Sequence, residues 1–132
     1  MALHPIRIKR IYSPPSAEDG ARVLIDRLWP RGMAKADAAI DCWLKGAAPS
    51  TELRKWFAHD PNRWEEFRLR YLAQLRACPQ ALRELTALAV SQPVTLLTAS
   101  RDEAHNHALV LRDALMGGQK EEGAPERPSA DR

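Results

Sequence analysis

The chain reads as a small single α/β domain: a mostly parallel sheet flanked by helices in a Rossmann-like, three-layer arrangement. Three observations predict it. Two short runs, RVLIDRL and PVTLLTA, are close to continuously apolar, as strands covered on both faces are. The stretches between and after them carry apolar residues at helical spacing. The length of 132 residues suits one core rather than two. Residues 1–118 are assigned to this domain, and the polar, proline-bearing residues 119–132 read as a disordered tail.

Taken in order, residues 6–12 hold Ile6, Ile8, Lys9, Arg10, Ile11 and Tyr12 and form a first strand. Residues 13–20, SPPSAEDG, are a loop, because two prolines and a glycine interrupt any regular element. Residues 22–28 are a second strand. Pro30 and Gly32 make residues 29–38 a loop. Ile40, Cys42 and Leu44 alternate against Asp41, Trp43 and Lys45, which suits a short edge strand. Ser50 is placed as the N-cap of a short helix through Phe57, with Glu52 in its first turn. Asp60 followed by Pro61 starts another helix to about Ala77, with Trp64, Phe67, Tyr71, Leu72 and Leu75 on one face. Pro79 restarts the chain into a helix that turns Leu82, Leu85 and Leu88 inward. Residues 93–99 are a buried strand. A closing helix begins near Ser100, spaces Ala104, Ala108, Leu111 and Leu115 for the core, and stops at Gly117.

Composition narrows the class. Apolar residues are 45% and charged residues 28%, a soluble globular profile. No apolar window approaches a membrane span, and the opening MALHPIRIKR lacks the apolar region of a secretory signal. Cys42 and Cys78 make neither a disulfide framework nor a zinc motif. A cytoplasmic protein without metal or cofactor is expected. The net charge is +3. Lys120, Arg127 and Arg132 against Glu121, Glu122, Glu126 and Asp131 give the tail −1, leaving +4 on the body. That excess suits an anionic ligand and falls short of a dense basic arm for nucleic acid.

Ligands of parallel sheets sit beyond the carboxyl ends of the strands, and two constellations fall there. The first is Asp26, Arg27, Trp29 and Arg31. Arginine forks suit carboxylate or phosphate, and the tryptophan could stack on a ring; alternatively, Asp26 pairs with an arginine and Trp29 covers the sheet. The second is Thr98, Ala99, Ser100, Arg101 and Asp102 at a helix start, where backbone N–H groups favour an anion or where Ser100 or Asp102 is only a cap. The loop lacks the glycines of a dinucleotide or nucleoside-triphosphate fingerprint. His105 and His107 are two apart and do not share a helix face; one of them can reach the strand ends. His59, before Asp60, is a lone candidate base. Arg54 and Lys55 beside Trp56 could touch a phosphate backbone or be a solvated helix face.

The segments KRIYSPPSAEDGARVLIDRLWPRG, DCWLKGAAPSTELRKWFAHDPNRWEEFRLRY and TLLTASRDEAHNHALVL resemble the YeaO-like family of bacteria, a branch of the domain-of-unknown-function family numbered 488. The resemblance covers residues 6–115. It implies a compact α/β domain and carries no established activity. A family pattern resembling VDVR-x-x-P falls on Ile25, Asp26, Arg27 and Pro30. Patterns resembling C-x-E and C-H-R fall on Thr98 and Ser100, and on Asn106, His107 and Ala108. Both cysteines are thus replaced, and what survives is His107 with Asp26 and Arg27.

These readings converge on a protein that binds a small anionic ligand, phosphate- or carboxylate-bearing, at the carboxyl edge of the sheet. Arg27, Trp29, Arg31, Thr98, Ser100, Arg101 and Asn106 are the expected ligand-binding residues. If the protein is an enzyme, His107 or His59 is the general base and Asp26 its orienter, although no nucleophile stands out. The alternative is a nucleic-acid-binding module that uses Arg7, Lys9, Arg10, Arg54 and Lys55, with Trp29, Trp43 and Trp56 as stacking platforms. A third is an interaction protein anchored by tryptophans, with the edge strand near Trp43 inviting dimerisation. Monomer and homodimer both stay open, and no membrane partner is expected.

Overall fold

The computed structural model describes residues 3–123, the side chains of 118–123 excepted. Four parallel strands, β1 (Ile6–Arg10), β2 (Ala21–Leu24), β3 (Cys42–Trp43) and β4 (Val94–Thr98), form one sheet in the order β1-β4-β2-β3. The central strands β2 and β4 are buried at every position, as the near-continuous apolar runs predict. In register, Leu24 pairs with Leu97 and Arg10 with Thr98, so β1, β4 and β2 end side by side.

The strand order explains which face each connection covers. The steps β1→β2 and β2→β3 run one way along the sheet, and β3→β4 runs back. Right-handed crossovers therefore place them on opposite faces. Helices α2 (Thr51–Phe57), α3 (Trp64–Ala77), α4 (Gln80–Ser91) and α5 (His107–Gly123) form one layer. Their Leu53, Phe67, Tyr71, Leu85 and Leu111 pack on Ile6, Val23, Ile25, Val94 and Leu96. The other face carries a thinner layer made of residues 13–20 and α1 (Lys35–Ala38), where Ala38 and Ile11 pack on Leu24 and Leu97.

That second face is partly polar. Buried Arg22 donates to Asp19 Oδ2 at 2.6 Å and to the carbonyls of Ala38 and Ala39 at 2.8 and 2.9 Å. Lys9 reaches the same carboxylate at 3.0 Å, and the Thr95 hydroxyl donates to the Asp19 carbonyl at 2.8 Å. A loop laid over a sheet brings unpaired carbonyls with it, and these side chains supply the donors. Burial alone would raise the Asp19 pKa, but the Lys9, Ser16 and Arg22 donors outweigh it and hold the carboxyl below its ordinary value. Gly20 (φ 64°) immediately precedes β2, and a Cβ there would stand 2.1 Å from the Pro93 carbonyl oxygen.

Several element boundaries differ from expectation. β1 ends at Arg10 and β2 at Leu24, earlier than the apolar runs do, because the chain turns away toward the site. Residues 35–38 form one helical turn inside the expected loop; Ala38 is buried there and Ala39 closes it in the left-handed region at φ 48°. The third strand shrinks to Cys42–Trp43. Ser50 caps α2 by accepting from Leu53 N, and Asp60 caps the turn before α3. The closing helix begins at His107 rather than near Ser100, because Asp102 accepts from the amides of Ala104 and His105 and holds residues 102–105 in a turn; Ala104 is exposed. Helix α5 passes Gly117 to Gly123, and the remainder of the expected tail lies outside the described residues. Among the described residues no helix is long and apolar enough to cross a membrane.

Candidate functional site

The chain leaves β2 through Ile25 and Asp26 and leaves β4 through Ala99 and Ser100, and the two exits wall one cleft. Asp26 ties them together. Its Oδ1 accepts from the Thr98 hydroxyl at 2.8 Å and its Oδ2 from the Ala99 amide at 2.8 Å. His107, the first residue of α5, brings Nε2 to 3.2 Å from Oδ1 and 3.0 Å from the Ile25 carbonyl. Both partners are acceptors, so Nε2 carries the proton and donates. Burial pushes the Asp26 pKa up, but the hydrogen bond and charge of His107, with the Ala99 and Thr98 donors, bring the net shift down. The carboxylate is ionised and its oxygens are occupied.

Aromatic packing fixes this pair from the helical side. Phe57 stacks on Phe67 at 4.5 Å, Phe67 on Tyr71 at 5.8 Å, and Tyr71 meets His107 edge-on at 6.0 Å. The Tyr71 hydroxyl donates to the buried Ala47 carbonyl, and burial together with the Asp26 charge drives its pKa up, so it stays a neutral phenol. From the other side Trp43 Nε1 donates to the Asp26 carbonyl at 2.7 Å.

The cleft encloses about 850 Å³, and all ten residues singled out from the sequence line it: Asp26, Arg27, Trp29, Arg31, His59, Thr98, Ser100, Arg101, Asn106 and His107. They do different things. Arg27 is oriented by the Ala48 and Pro49 carbonyls at 3.3–3.4 Å. Trp29 donates to the Met33 carbonyl at 2.7 Å and meets Trp43 edge-on, so it braces the loop. Asn106 is buried; it donates to the Asp102 carbonyl, and its Oδ1 accepts from Leu109 N at the start of α5. His59 is exposed, at φ 58°, with its ring 6.3 Å from Phe57. Arg31 and Arg101 are exposed. The Ser100 hydroxyl is buried with no hydrogen-bond partner.

Two further arginines line the same cleft. Arg10, at the end of β1, donates to the Ser100 and Ala99 carbonyls at 3.2 and 3.4 Å, and its guanidinium lies 5.0 Å from the Tyr12 ring. Arg54 comes from α2. The sequence places both as basic points without placing them here, because strand order alone sets Arg10 beside β4. Arg7 and Lys9 point elsewhere: Arg7 donates to the Glu18 carbonyl, and Lys9 to Asp19 and the Pro14 carbonyl. Trp56 lies under Arg63 and Arg70, at 5.1 and 4.4 Å.

Chemically, the arrangement can hold an anion. The lining residues include five arginines and one carboxylate. His107 could act as a base only through Nδ1, since Nε2 is a donor. The Cys42 thiol is pushed up by burial and by the charges of Glu84 and Asp41, which keeps it a neutral thiol. Among the described residues, no three His, Cys, Asp or Glu side chains cluster to hold a metal ion.

Comparison with known proteins identifies the family. The profile described as the inactive DUF488-N3 subclade matches residues 5–131. The chain is 47% identical over 110 residues to the uncharacterised protein YeaO of Escherichia coli K12, covering 83% of this chain and 96% of that one. It is 44% identical over 112 residues to the uncharacterised protein Rv3073c of Mycobacterium tuberculosis H37Rv, covering 85% and 94%, and equally to Mb3100c of Mycobacterium bovis. No solved structure matches it.

Proposed function

The chain belongs to the inactive DUF488-N3 subclade, and from that premise we propose that it binds a small anionic ligand, phosphate- or carboxylate-bearing, in the cleft at the carboxyl edge of the sheet, as a binding protein rather than a catalyst. One observation carries this reading: Arg10, Arg27, Arg31, Arg54 and Arg101 line a cleft whose single carboxylate, Asp26, is already satisfied by Thr98, Ala99 and His107. Positive charge converging in a concavity raises the local concentration of anions. Catalysis would need an activated nucleophile, and the groups around His107 do not supply an obvious one: Thr98 donates to Asp26, and His107 is a donor through Nε2, which leaves only Nδ1 as a base. We also propose a reducing cytoplasm as its compartment, which free Cys42 and Cys78 would suit.

Convergence also ranks the alternative. A nucleic-acid module needs its basic residues spread along an accessible face, whereas Arg7 and Lys9 are engaged with loop groups while Arg10 and Arg54 turn into the cleft. The test is thermal unfolding against orthophosphate, citrate and single-stranded DNA. A ligand at a hundred times its Kd stabilises the native state by about 2.7 kcal/mol. A small anion should raise the Tm, and Arg27→Ala should diminish the rise. A rise with DNA alone, erased by salt, would replace this proposal with the nucleic-acid reading.

A further inference from the structure

We propose that the ligand carries two separated phosphate groups, one seated between Arg10 and Arg27 at Ser100 and the other held by the outer guanidiniums of Arg31, Arg54 and Arg101. This rests on the anion-binding reading above and names the chemistry of that site's ligand. The inner position is built before any ligand arrives. Arg10 uses Nε and Nη2 on the Ser100 and Ala99 carbonyls, and Arg27 uses Nε and Nη2 on those of Ala48 and Pro49. Each guanidinium is thereby oriented, and each keeps Nη1 without a partner among the described residues. Arg10 ends β1 and Arg27 follows β2, with β4 between those strands, and both line the cleft together with Ser100. Its hydroxyl is the one buried side-chain polar atom without a hydrogen bond among the described residues, and a buried donor in that state is relieved by an oxyanion.

The outer position differs. Arg31, Arg54 and Arg101 are exposed, and among the described residues none has a carboxylate within ion-pair distance. One monoanion at the inner position would leave these three uncompensated. Five guanidiniums less the Asp26 carboxylate give the cleft a formal charge of +4. A phosphate monoester carries roughly −1.5 to −2 at neutral pH, so two of them come close to that charge, whereas a dicarboxylate supplies half of it. The volume of about 850 Å³ lies in the range that accepts a small organic molecule rather than a lone ion.

The experiment is isothermal titration at constant ionic strength with orthophosphate, fructose 6-phosphate, fructose 1,6-bisphosphate, pyrophosphate and citrate. A second engaged subsite should make fructose 1,6-bisphosphate bind at least about tenfold tighter than fructose 6-phosphate and tighter than pyrophosphate, whose two phosphates are directly joined. The double variant Arg54→Ala/Arg101→Ala should bring the bisphosphate down to monophosphate affinity while the monophosphate itself changes by no more than about twofold. Ser100→Ala, whose hydroxyl has no partner to lose, should leave the Tm unchanged and weaken both esters alike. Equal affinity for mono- and bisphosphate, or citrate binding as tightly as the bisphosphate, would overturn the two-phosphate inference and leave anion binding standing. No binding of any anion, judged by titration and by Tm shift alike, would overturn both.

Discussion

Asp26→Asn isolates the bond network that joins the ends of β2 and β4. The substitution keeps the shape and removes the charge. The Asp26 carboxylate accepts from the Thr98 hydroxyl, the Ala99 amide and His107; an asparagine turns an NH₂ group toward one of these donors. Hydrogen bonds to a charged group contribute about 1.5–3 kcal/mol each, and removing one partner of a fully buried pair costs about 3–5 kcal/mol. The Asp26 side chain is 17% exposed, so the expected loss at pH 7 is about 2–3 kcal/mol. For a domain of this size that lowers the Tm by roughly 8–12 °C. The effect depends on pH with a definite sign. The folded Asp26 pKa lies below its ordinary value, so its stabilisation is complete above the unfolded pKa, about 3.9, and is lost as pH falls through the folded pKa. Urea unfolding at pH 7 and at pH 3 should show a large gap between wild type and variant at the first and a smaller one at the second, because pH 3 lies below the unfolded pKa and the stabilisation has begun to be lost. A gap below about 0.5 kcal/mol at pH 7, or one unchanged at pH 3, would refute the view that an ionised Asp26 joins the two strand ends.

Two other substitutions test the frame around the site. Gly20→Ala puts a Cβ 2.1 Å from the Pro93 carbonyl at a φ of 64°; left-handed backbone strain alone costs about 1–2 kcal/mol, so the total loss in urea unfolding should exceed that, and a loss under about 1 kcal/mol would show that β2 starts differently. Tyr71→Phe removes the donor to the buried Ala47 carbonyl and should cost about 1–3 kcal/mol by calorimetry, with anion binding retained because the ring still packs on His107; an unchanged Tm would mean that water satisfies Ala47.

The order of strands and helices could be read from apolar periodicity, and so could the capping of α2 by Ser50 and the turn begun by Asp60, because these are local effects of side chains on their own backbone. The start of α5 could not. Ser100 and Asp102 are both plausible caps, and Asp102 holds a separate turn that delays the helix to His107. Arg22 sits inside a run that reads as apolar, and its burial depends on Asp19 and on the Ala38 and Ala39 carbonyls arriving from a loop and a helical turn.

The candidate site divides in the same way. The sequence by itself determined that charged residues stand at the carboxyl ends of two buried strands, since a break in an apolar run is visible without coordinates. Only the tertiary structure decided that Arg10 and Arg54 join Arg27, Arg31 and Arg101, and that Arg7 and Lys9 do not. It also decided that Asp26 accepts from Thr98 and Ala99 as well as from His107, whose imidazole it orients. The physical reason is strand order: β4 inserts between β1 and β2, bringing together residues far apart in the chain, and no local pattern encodes that.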